Sequence, residues 1–545
     1  MKHLVIALLV LVFAIVAFAD TYPKNPSIDV IHYAFKLELS DETDEIIGEA
    51  TVEVNFLADG IKEVRLDLTS ASKDLNGKGM TVSRVMAGNN AIDYRHDNNV
   101  LLVKLPTPSQ VNRRVKFTVF YRGVPAAALK IANNRFNERT FFSDNWPDKG
   151  RNWLPTVDHP SDKATCEFIV TAPSHYQVVS NGLLLEETDL PDNKRLTHWK
   201  QSVPIASWLY VLGAARFAVR YEEPFDGKSI QTWVYHQDRD KGFYDFDDTT
   251  RKALEFYSDK VGPFSYEKLA NIQSNSVSGG MEAASAILYS ENSVVGDRNV
   301  RWRNVVIHEI AHQWFGNAVT EKDWDEVWLS EGFATYFTLL FIEHQYGRDE
   351  FLAGLRSSKS SVDAFYLKNP KYRIIHDNLK NMDDVTTSQI YQKGSWTLHM
   401  LRGVVGTENF WKGIRAYYRK YRDSHATVAD FRRVMEETSG KDLGAFFDQW
   451  LYKPGTLKYK GNWSYDAAEK QVTLKLDQVQ TDESLFKMPI EIAVYYRGQV
   501  KPQSQIVQVE ARSNVFSIKV SGEPEKVILD PEMWVLMDAD VREVK

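Results

Sequence analysis

The sequence predicts a multidomain α+β protein with an all-β N-terminal part, a mainly helical middle and a C-terminal β-sandwich. Three observations carry this. Apolar residues alternate with a period of two from about residue 33 to 121, the period lengthens to that of helices between about 240 and 455, and alternation returns after Lys453-Pro454-Gly455. A chain of 545 residues has room for three to four domains at about 150 residues each.

Taken in order, residues 1–19 stand apart. Met1-Lys2-His3 leads into an unbroken apolar run from Leu4 to Ala19 that ends Ala17-Phe18-Ala19, the charged start, apolar middle and small-x-small end of a secretory signal. A membrane anchor is the alternative, but sixteen apolar residues fall short of the roughly 20 that span a bilayer. The expectation is a signal peptide 1–19 cleaved after Ala19, no stable membrane insertion afterwards, and a secreted or periplasmic protein. Cys166 is the only cysteine, so stability rests on packing rather than an internal disulfide, and no cysteine stands beside the cleavage site for a lipid anchor. One glycosylation sequon, Asn462-Trp463-Ser464, is too short a pattern to weigh.

The all-β part is expected over 20–220. Tyr33, Phe35, Leu37 and Leu39, then Ala50, Val52, Val54 and Phe56, then Val64, Leu66 and Leu68, then Val115, Phe117, Val119 and Tyr121 each put one face of an antiparallel sheet toward a core. Strand-like text runs on to about residue 220, interrupted by an aromatic, Pro-rich stretch from Trp146 to Pro160. The middle part, 221–455, carries helical runs at 249–261, 299–315, 326–346, 391–405 and 428–439, with Asp297 or Asn299 as a start signal and Gly316 as a stop. The last part, 456–545, alternates again at Val472, Leu474, Leu476; Ile490, Ile492, Val494; and Phe516, Ile518, Val520. No internal repeat or low-complexity segment interrupts the chain. With 66 basic and 73 acidic residues and a formal charge of −7, no polyanion-binding surface is indicated and nucleic acid is excluded as a partner.

The chemistry concentrates in His308-Glu309-Ile310-Ala311-His312. Helical residues four apart differ by only ~40° around the axis, so both imidazoles leave one face a turn apart and can share one metal ion. Neutral imidazole suits Zn²⁺, and Glu309 can act on a water at that metal without ligating it. By chance alone such a pentapeptide occurs in roughly a few per cent of chains this long, so a third ligand is required. Glu331, nineteen residues past His312 in Trp328-Leu329-Ser330-Glu331-Gly332-Phe333-Ala334, opens a second apolar helix, where an ionisable group is costly unless paired with a charge such as a metal.

This pattern, with Trp314-Phe315-Gly316-Asn317 between its halves, resembles the M1 family of zinc aminopeptidases, which are gluzincins. Gly279-Gly280-Met281-Glu282 stands where that family carries Gly-x-Met-Glu-Asn, and Tyr391-Gln392-Lys393-Gly394 resembles its Tyr-x-Lys-Gly. The resemblance implies a saddle-shaped N-terminal β domain, a thermolysin-like catalytic domain and a β-sandwich. It implies one Zn²⁺ held by His308, His312 and Glu331, with Glu309 as general base and acid and Tyr391 as donor to the oxyanion. It also implies that Gly279, Gly280, Met281 and Glu282 bind substrate, with Glu282 taking the free α-ammonium of a peptide, so that peptides with a free N-terminus are the partners. Two departures stand out. Ala283 replaces the family's Asn, and the chain ends on the β-sandwich, without the helical C-terminal domain of many members, so a more open cleft is expected. The stretch Phe142-Ser143-Asp144-Asn145-Trp146-Pro147 either lines the pocket for the first side chain or is an aromatic structural loop.

The leading expectation is a zinc metallo-aminopeptidase that hydrolyses N-terminal residues through a metal-activated water. A zinc endopeptidase would share the metal site but not need Glu282. A non-catalytic scaffold of the same fold would be expected to have lost a ligand or the base, and none is lost. The preferred first residue and the oligomeric state are not legible in the sequence.

Overall fold

The computed structural model describes residues 20–375, 379, 381–481 and 484–544. The expected signal segment 1–19 lies outside the described residues. Among those described, no helix is long and apolar enough to cross a membrane.

The alternating residues of the N-terminal part build an eight-stranded sheet, in the order Leu183–Leu190, Lys194–Ala206, Lys163–Pro173, Ile28–Glu38, Ile46–Phe56, Arg114–Val124, Gly79–Ala87 and Asn90–Ala91. Tyr33, Phe35, Val52, Val54, Phe117 and Val119 are buried on its inner face, as their period of two requires. Val115 alone of the expected set is only partly buried. Its ladders are antiparallel except one: Ile28–Glu38 runs parallel to Lys163–Pro173. A smaller sheet orders Gln177–Ser180, Leu212–Ala215, Arg139–Ser143 and Leu129–Asn133, and delivers the chain from Ser143 toward the central domain.

The central domain opens with a five-stranded sheet rather than with helices. Its order is Phe217–Tyr221, Ser229–Tyr235, Lys268–Ser274, Ala286–Ser290 and the short edge strand Gly280–Met281. Every residue of Lys268–Ser274 and Ala286–Ser290 is buried, so neither strand alternates and neither announces itself in the sequence. Phe217–Tyr221 crosses the expected 220/221 division and pairs forward with Ser229–Tyr235.

Eight helices follow or flank this sheet among the described residues: α1 (Arg239–Lys260), α2 (Val300–His312), α3 (Trp328–Tyr346), α4 (Arg348–Lys368), α5 (Gly394–Val405), α6 (Thr407–Tyr421), α7 (Val428–Ser439) and α8 (Gly444–Leu451). The Asn299 side chain caps α2 by accepting from the Arg301 N–H, and Thr427 with Asp430 forms a reciprocal capping box on α7. The expected run 391–405 is two elements, a π-turn over Gln389–Lys393 and then α5. α4, α6 and α8 extend the expected set of helices.

The C-terminal strands form two facing sheets. One orders Ser513–Lys519, Gln471–Gln478, Leu457–Asp466 and Met537–Glu543, and the other Gln503–Val509, Met488–Tyr495 and Lys526–Leu529. Val472, Leu474 and Leu476 of the first and Ile490, Ile492 and Val494 of the second are all buried, the inner layer of a sandwich.

Candidate active site

α2 and α3 pack against each other, and the first turn of α3 faces the last turn of α2. His308 and His312 come from the same face of α2, and Glu331 from the first turn of α3. Their donor atoms form a small triangle. The two Nε2 atoms are 3.1 Å apart, and Glu331 Oε2 lies 3.3 Å from that of His308 and 3.1 Å from that of His312. Four donors at ~2.0–2.1 Å around a tetrahedral Zn²⁺ would be spaced by roughly 3.3–3.4 Å, so these three match three corners of such a set. His312 is oriented from behind: its Nδ1–H donates to the Phe315 carbonyl at 3.1 Å, which turns Nε2 into the triangle.

The electrostatics agree with a cation at this point. Burial alone would raise the Glu331 carboxyl, but His312 and His308 outweigh it and hold it well below the ordinary carboxylate range. Burial would lower His312, yet Glu282 and Glu331 push it up to about 10. Two imidazoles and a buried carboxylate, set among further carboxylates that stabilise positive charge, suit a borderline divalent ion such as Zn²⁺.

Glu309 is 6% exposed and lines the same cleft. Burial, then the nearby Glu282 carboxylate, raises its carboxyl well above the ordinary value. Gly280 makes its position possible, because a Cβ there would fall 2.3 Å from Glu309 Cδ and Oε1. Gly279, by contrast, faces open space.

Glu282 follows the edge strand Gly280–Met281 and is 5% exposed. Two side chains fix its backbone: Asn317 Nδ2 donates to the Glu282 carbonyl at 2.6 Å and Gln313 Nε2 donates to it at 3.0 Å. Its Oε1 atom is buried without a hydrogen-bond partner and lies 4.0 Å from His312 Nδ1. Burial raises this carboxyl to about 7, with His312 opposing and Glu331 and Asp144 adding repulsion.

Tyr391 enters from the π-turn, and its hydroxyl donates to Glu331 Oε1 at 2.8 Å. Burial and then Glu331 raise the phenol well above 10, so it stays a proton donor. The turn is pinned where Gly394 meets Gly332 of α3: a Cβ on Gly394 would sit 3.1 Å from the Gly332 Cα. Lys393 is buried, its Nζ donating to Tyr366 Oη at 2.8 Å and to the Lys453 carbonyl at 3.3 Å.

All nine residues singled out in the sequence, Gly279, Gly280, Met281, Glu282, His308, Glu309, His312, Glu331 and Tyr391, line one cleft of about 720 Å³. Asp144 and Trp146 line it too, whereas Phe142, Ser143 and Asn145 are buried away from it. Arg301 and the positioning amide Gln313 were not singled out, and Asn317 entered only as part of Trp314-Phe315-Gly316-Asn317, without a role. Arg301 was traceable in principle, since it stands seven residues before His308 on the same helix face.

Two histidines and one glutamate between paired helices, beside an edge strand that leads to a buried carboxylate, form a donor set suited to a divalent metal ion. The sequence matches the Peptidase family M1 domain over residues 244–450 and the Peptidase M1 N-terminal domain over residues 30–209. The chain belongs to peptidase family M1. Glutamyl aminopeptidase of Homo sapiens is 25% identical over 458 residues, which cover 78% of this chain and 47% of that protein. Probable aminopeptidase 2 of Sulfurisphaera tokodaii is 29% identical over 56% of this chain and 40% of its own length. The chain thus spans about half the length of the curated relatives it matches. Among solved structures, Legionella pneumophila aminopeptidase A in complex with aspartic acid shares the fold with a TM-score of 0.81, at 19% identity over 95% of this chain and 60% of that one. The M1 zinc metallopeptidase of Deinococcus radiodurans aligns with a TM-score of 0.66 at 22% identity, over 78% of this chain and 93% of that one.

Proposed function

We propose that this protein is a zinc-dependent aminopeptidase that removes N-terminal residues from peptides. His308, His312 and Glu331 hold one Zn²⁺, which when bound supplies a Lewis acid for the scissile carbonyl and acidifies a water. The chain's own side chains do the rest. Glu309 takes the proton of the attacking water and returns one to the leaving amine. The Tyr391 hydroxyl swings from Glu331 to the oxyanion, an interaction that grows toward the transition state.

One observation favours an exopeptidase over an endopeptidase. Glu282 Oε1 is buried without a hydrogen bond, 4.0 Å from His312 Nδ1 and beside the donor triangle, and a substrate α-ammonium satisfies it and sets the first peptide bond over the centre. The test pairs one peptide with its N-acetylated twin. The free-amine form is consumed and the acetylated form resists, a chelator stops turnover, and added Zn²⁺ restores it. Equal cleavage of both forms sinks the exopeptidase reading. Names among the relatives include both glutamyl and leucyl aminopeptidases, so they leave the preferred first residue open.

The pattern of residues 1–19 supports export with cleavage after Ala19, giving a secreted or periplasmic enzyme that acts on extracytoplasmic peptides. The N-terminal sequence of the exported protein tests this, with Asp20 as the expected first residue.

A further inference from the structure

Asp20, the residue that follows Ala19, is held in the interior by both its backbone and its side chain. It is 6% exposed and pairs with Leu379 in a parallel bridge. Its Oδ1 accepts from the Tyr22 N–H at 2.9 Å and its Oδ2 from His159 Nε2 at 2.6 Å. Burial alone would raise this carboxyl, but His159 and the Tyr22 N–H hold it down to about 2. Lys24 Nζ lies 3.5 Å from Asp20 Oδ1 and donates to Asp323 Oδ2.

Asp325, in the turn Trp324–Glu326 that leads into α3, completes the cluster. It is 1% exposed, and both of its carboxyl oxygens are buried without a hydrogen-bond partner among the described residues, as is Asp323 Oδ1. Burial, then Asp323 and Asp20, raise the Asp325 carboxyl to about 7. Three carboxylates thus act on one another, and Lys24 is the lysine that acts on all three. The cluster is short of positive charge, and the unsatisfied acceptors of Asp325 mark where it is missing.

A divalent metal ion is one candidate for that charge, since Asp20, His159 and Asp323 offer donor atoms within 4.8 Å of one another. The imidazole argues against it. His159 Nδ1 accepts from the Ser161 N–H at 3.1 Å, so Nε2 carries the proton it donates to Asp20 and has no lone pair for a metal. A group with several N–H donors fits better, and one is already attached to the cluster. The Asp20 α-nitrogen is three bonds from its own carboxyl carbon, so covalent geometry keeps it within about 4 Å of that atom. Inside a longer chain this nitrogen is a neutral amide. Hydrolysis of the Ala19–Asp20 bond by a leader peptidase consumes one water, leaves a carboxylate on Ala19 and gives Asp20 an α-amine, which is mostly protonated at neutral pH.

We infer that this cluster is a binding site for the chain's own α-ammonium: once residues 1–19 are removed, the Asp20 nitrogen pairs with Asp325 and ties the mature N-terminus to the turn that opens α3, the helix that carries Glu331. This rests on the export reading, with its cleavage after Ala19, and goes beyond it.

The experiment compares two versions of the chain released from a fusion by a protease, one starting at Asp20 and one with a single glycine before Asp20, each with and without Asp325→Asn. The added residue moves the charge by about 3.8 Å. The chain that starts at Asp20 melts about 5 °C above the glycine-extended one, and in the Asp325→Asn pair the gap closes to about 1 °C. Acetic anhydride labelling read by mass spectrometry follows the amine itself. The Asp20 α-amine reacts about tenfold more slowly than that of the extended chain, and Asp325→Asn removes the protection. Equal melting and equal reactivity of the two starts overturn the inference, as does a gap that persists unchanged in Asp325→Asn, which makes the added glycine a steric burden only. If Asp325→Asn does not fold, the reactivity of the two unsubstituted starts decides the matter alone. Both starts are fixed by the fusion, so the outcome does not depend on where the cell cuts. An exported protein that begins at another residue overturns the export reading and leaves the site standing, whereas one that begins at Asp20 with an α-amine as reactive as that of the extended chain overturns this inference alone.

Discussion

Two side chains in the cleft make separable demands. Glu309 lies outside the donor triangle, so Glu309→Ala should retain zinc in metal analysis while kcat falls by about a thousandfold or more. Near-normal turnover in that variant would remove Glu309 from the mechanism. Tyr391 bonds Glu331 through its hydroxyl alone, so Tyr391→Phe keeps the ring in place and removes only the donor. Its kcat should fall by about a hundredfold with KM little changed, as expected for a contact made chiefly in the transition state. A variant that instead raises KM at constant kcat would assign the phenol to ground-state binding.

At the scale of elements, the site depends on how closely three helical segments approach. α2 supplies two donors because its period brings residues four apart onto one face. α3 supplies the third from its first turn, and the π-turn before α5 brings Tyr391 over Glu331. Gly332 and Gly394 meet backbone to backbone: a Cβ on Gly332 would stand 3.0 Å from the Gly394 Cα and 3.2 Å from the Ile390 carbonyl oxygen. Neither backbone can yield as a flexible side chain would. Gly394→Ala should therefore cost about 1–3 kcal/mol in urea unfolding and lower kcat by displacing Tyr391. Unchanged stability together with unchanged kcat would mean that the helices have slack the geometry does not suggest.

For the whole molecule, buried groups tie its parts together. Lys163, from the large N-terminal sheet, donates through Nζ to the carbonyls of Asn317 at 2.9 Å, Ala318 at 3.1 Å and Ser424 at 3.2 Å, just beyond His308 and His312 of α2. Lys268 of the central sheet answers with a bond to the Ser180 carbonyl at 2.7 Å. At the other end His399 of α5 stacks on Trp534 at 4.8 Å and bonds Tyr336 and the Met533 carbonyl, each at 3.0 Å. Burial pushes His399 down to about 3, and His425 likewise. Each stays neutral in the folded protein while the unfolded chain takes up a proton below about pH 6.5, so their contribution is intact above that pH and lost as the pH falls toward 3. The slope is about 1.4 kcal/mol per pH unit for each group. Between pH 6.5 and 5, His399→Gln should lose about 2 kcal/mol less stability than the wild type, read from urea midpoints. An identical loss in both proteins would take His399 out of the acid response.

Local rules settled much of this protein before any tertiary contact was known. The alternation around Phe35, Val52 and Phe117 settled which faces are buried, and the spacing of His308 and His312 settled that two imidazoles share a helix face, because both follow from the geometry of one element. Glu331 was legible as a charge that an apolar helix tolerates only with a partner. Tertiary structure alone decided the rest. It set Ile28–Glu38 parallel to Lys163–Pro173, built the central sheet from strands buried on both faces, made Gly280 the space for Glu309, and carried Asp144 and Trp146 from another domain to Glu282. These contacts join residues far apart in the chain, and packing and burial choose such partners where the period of a single segment holds no information about them.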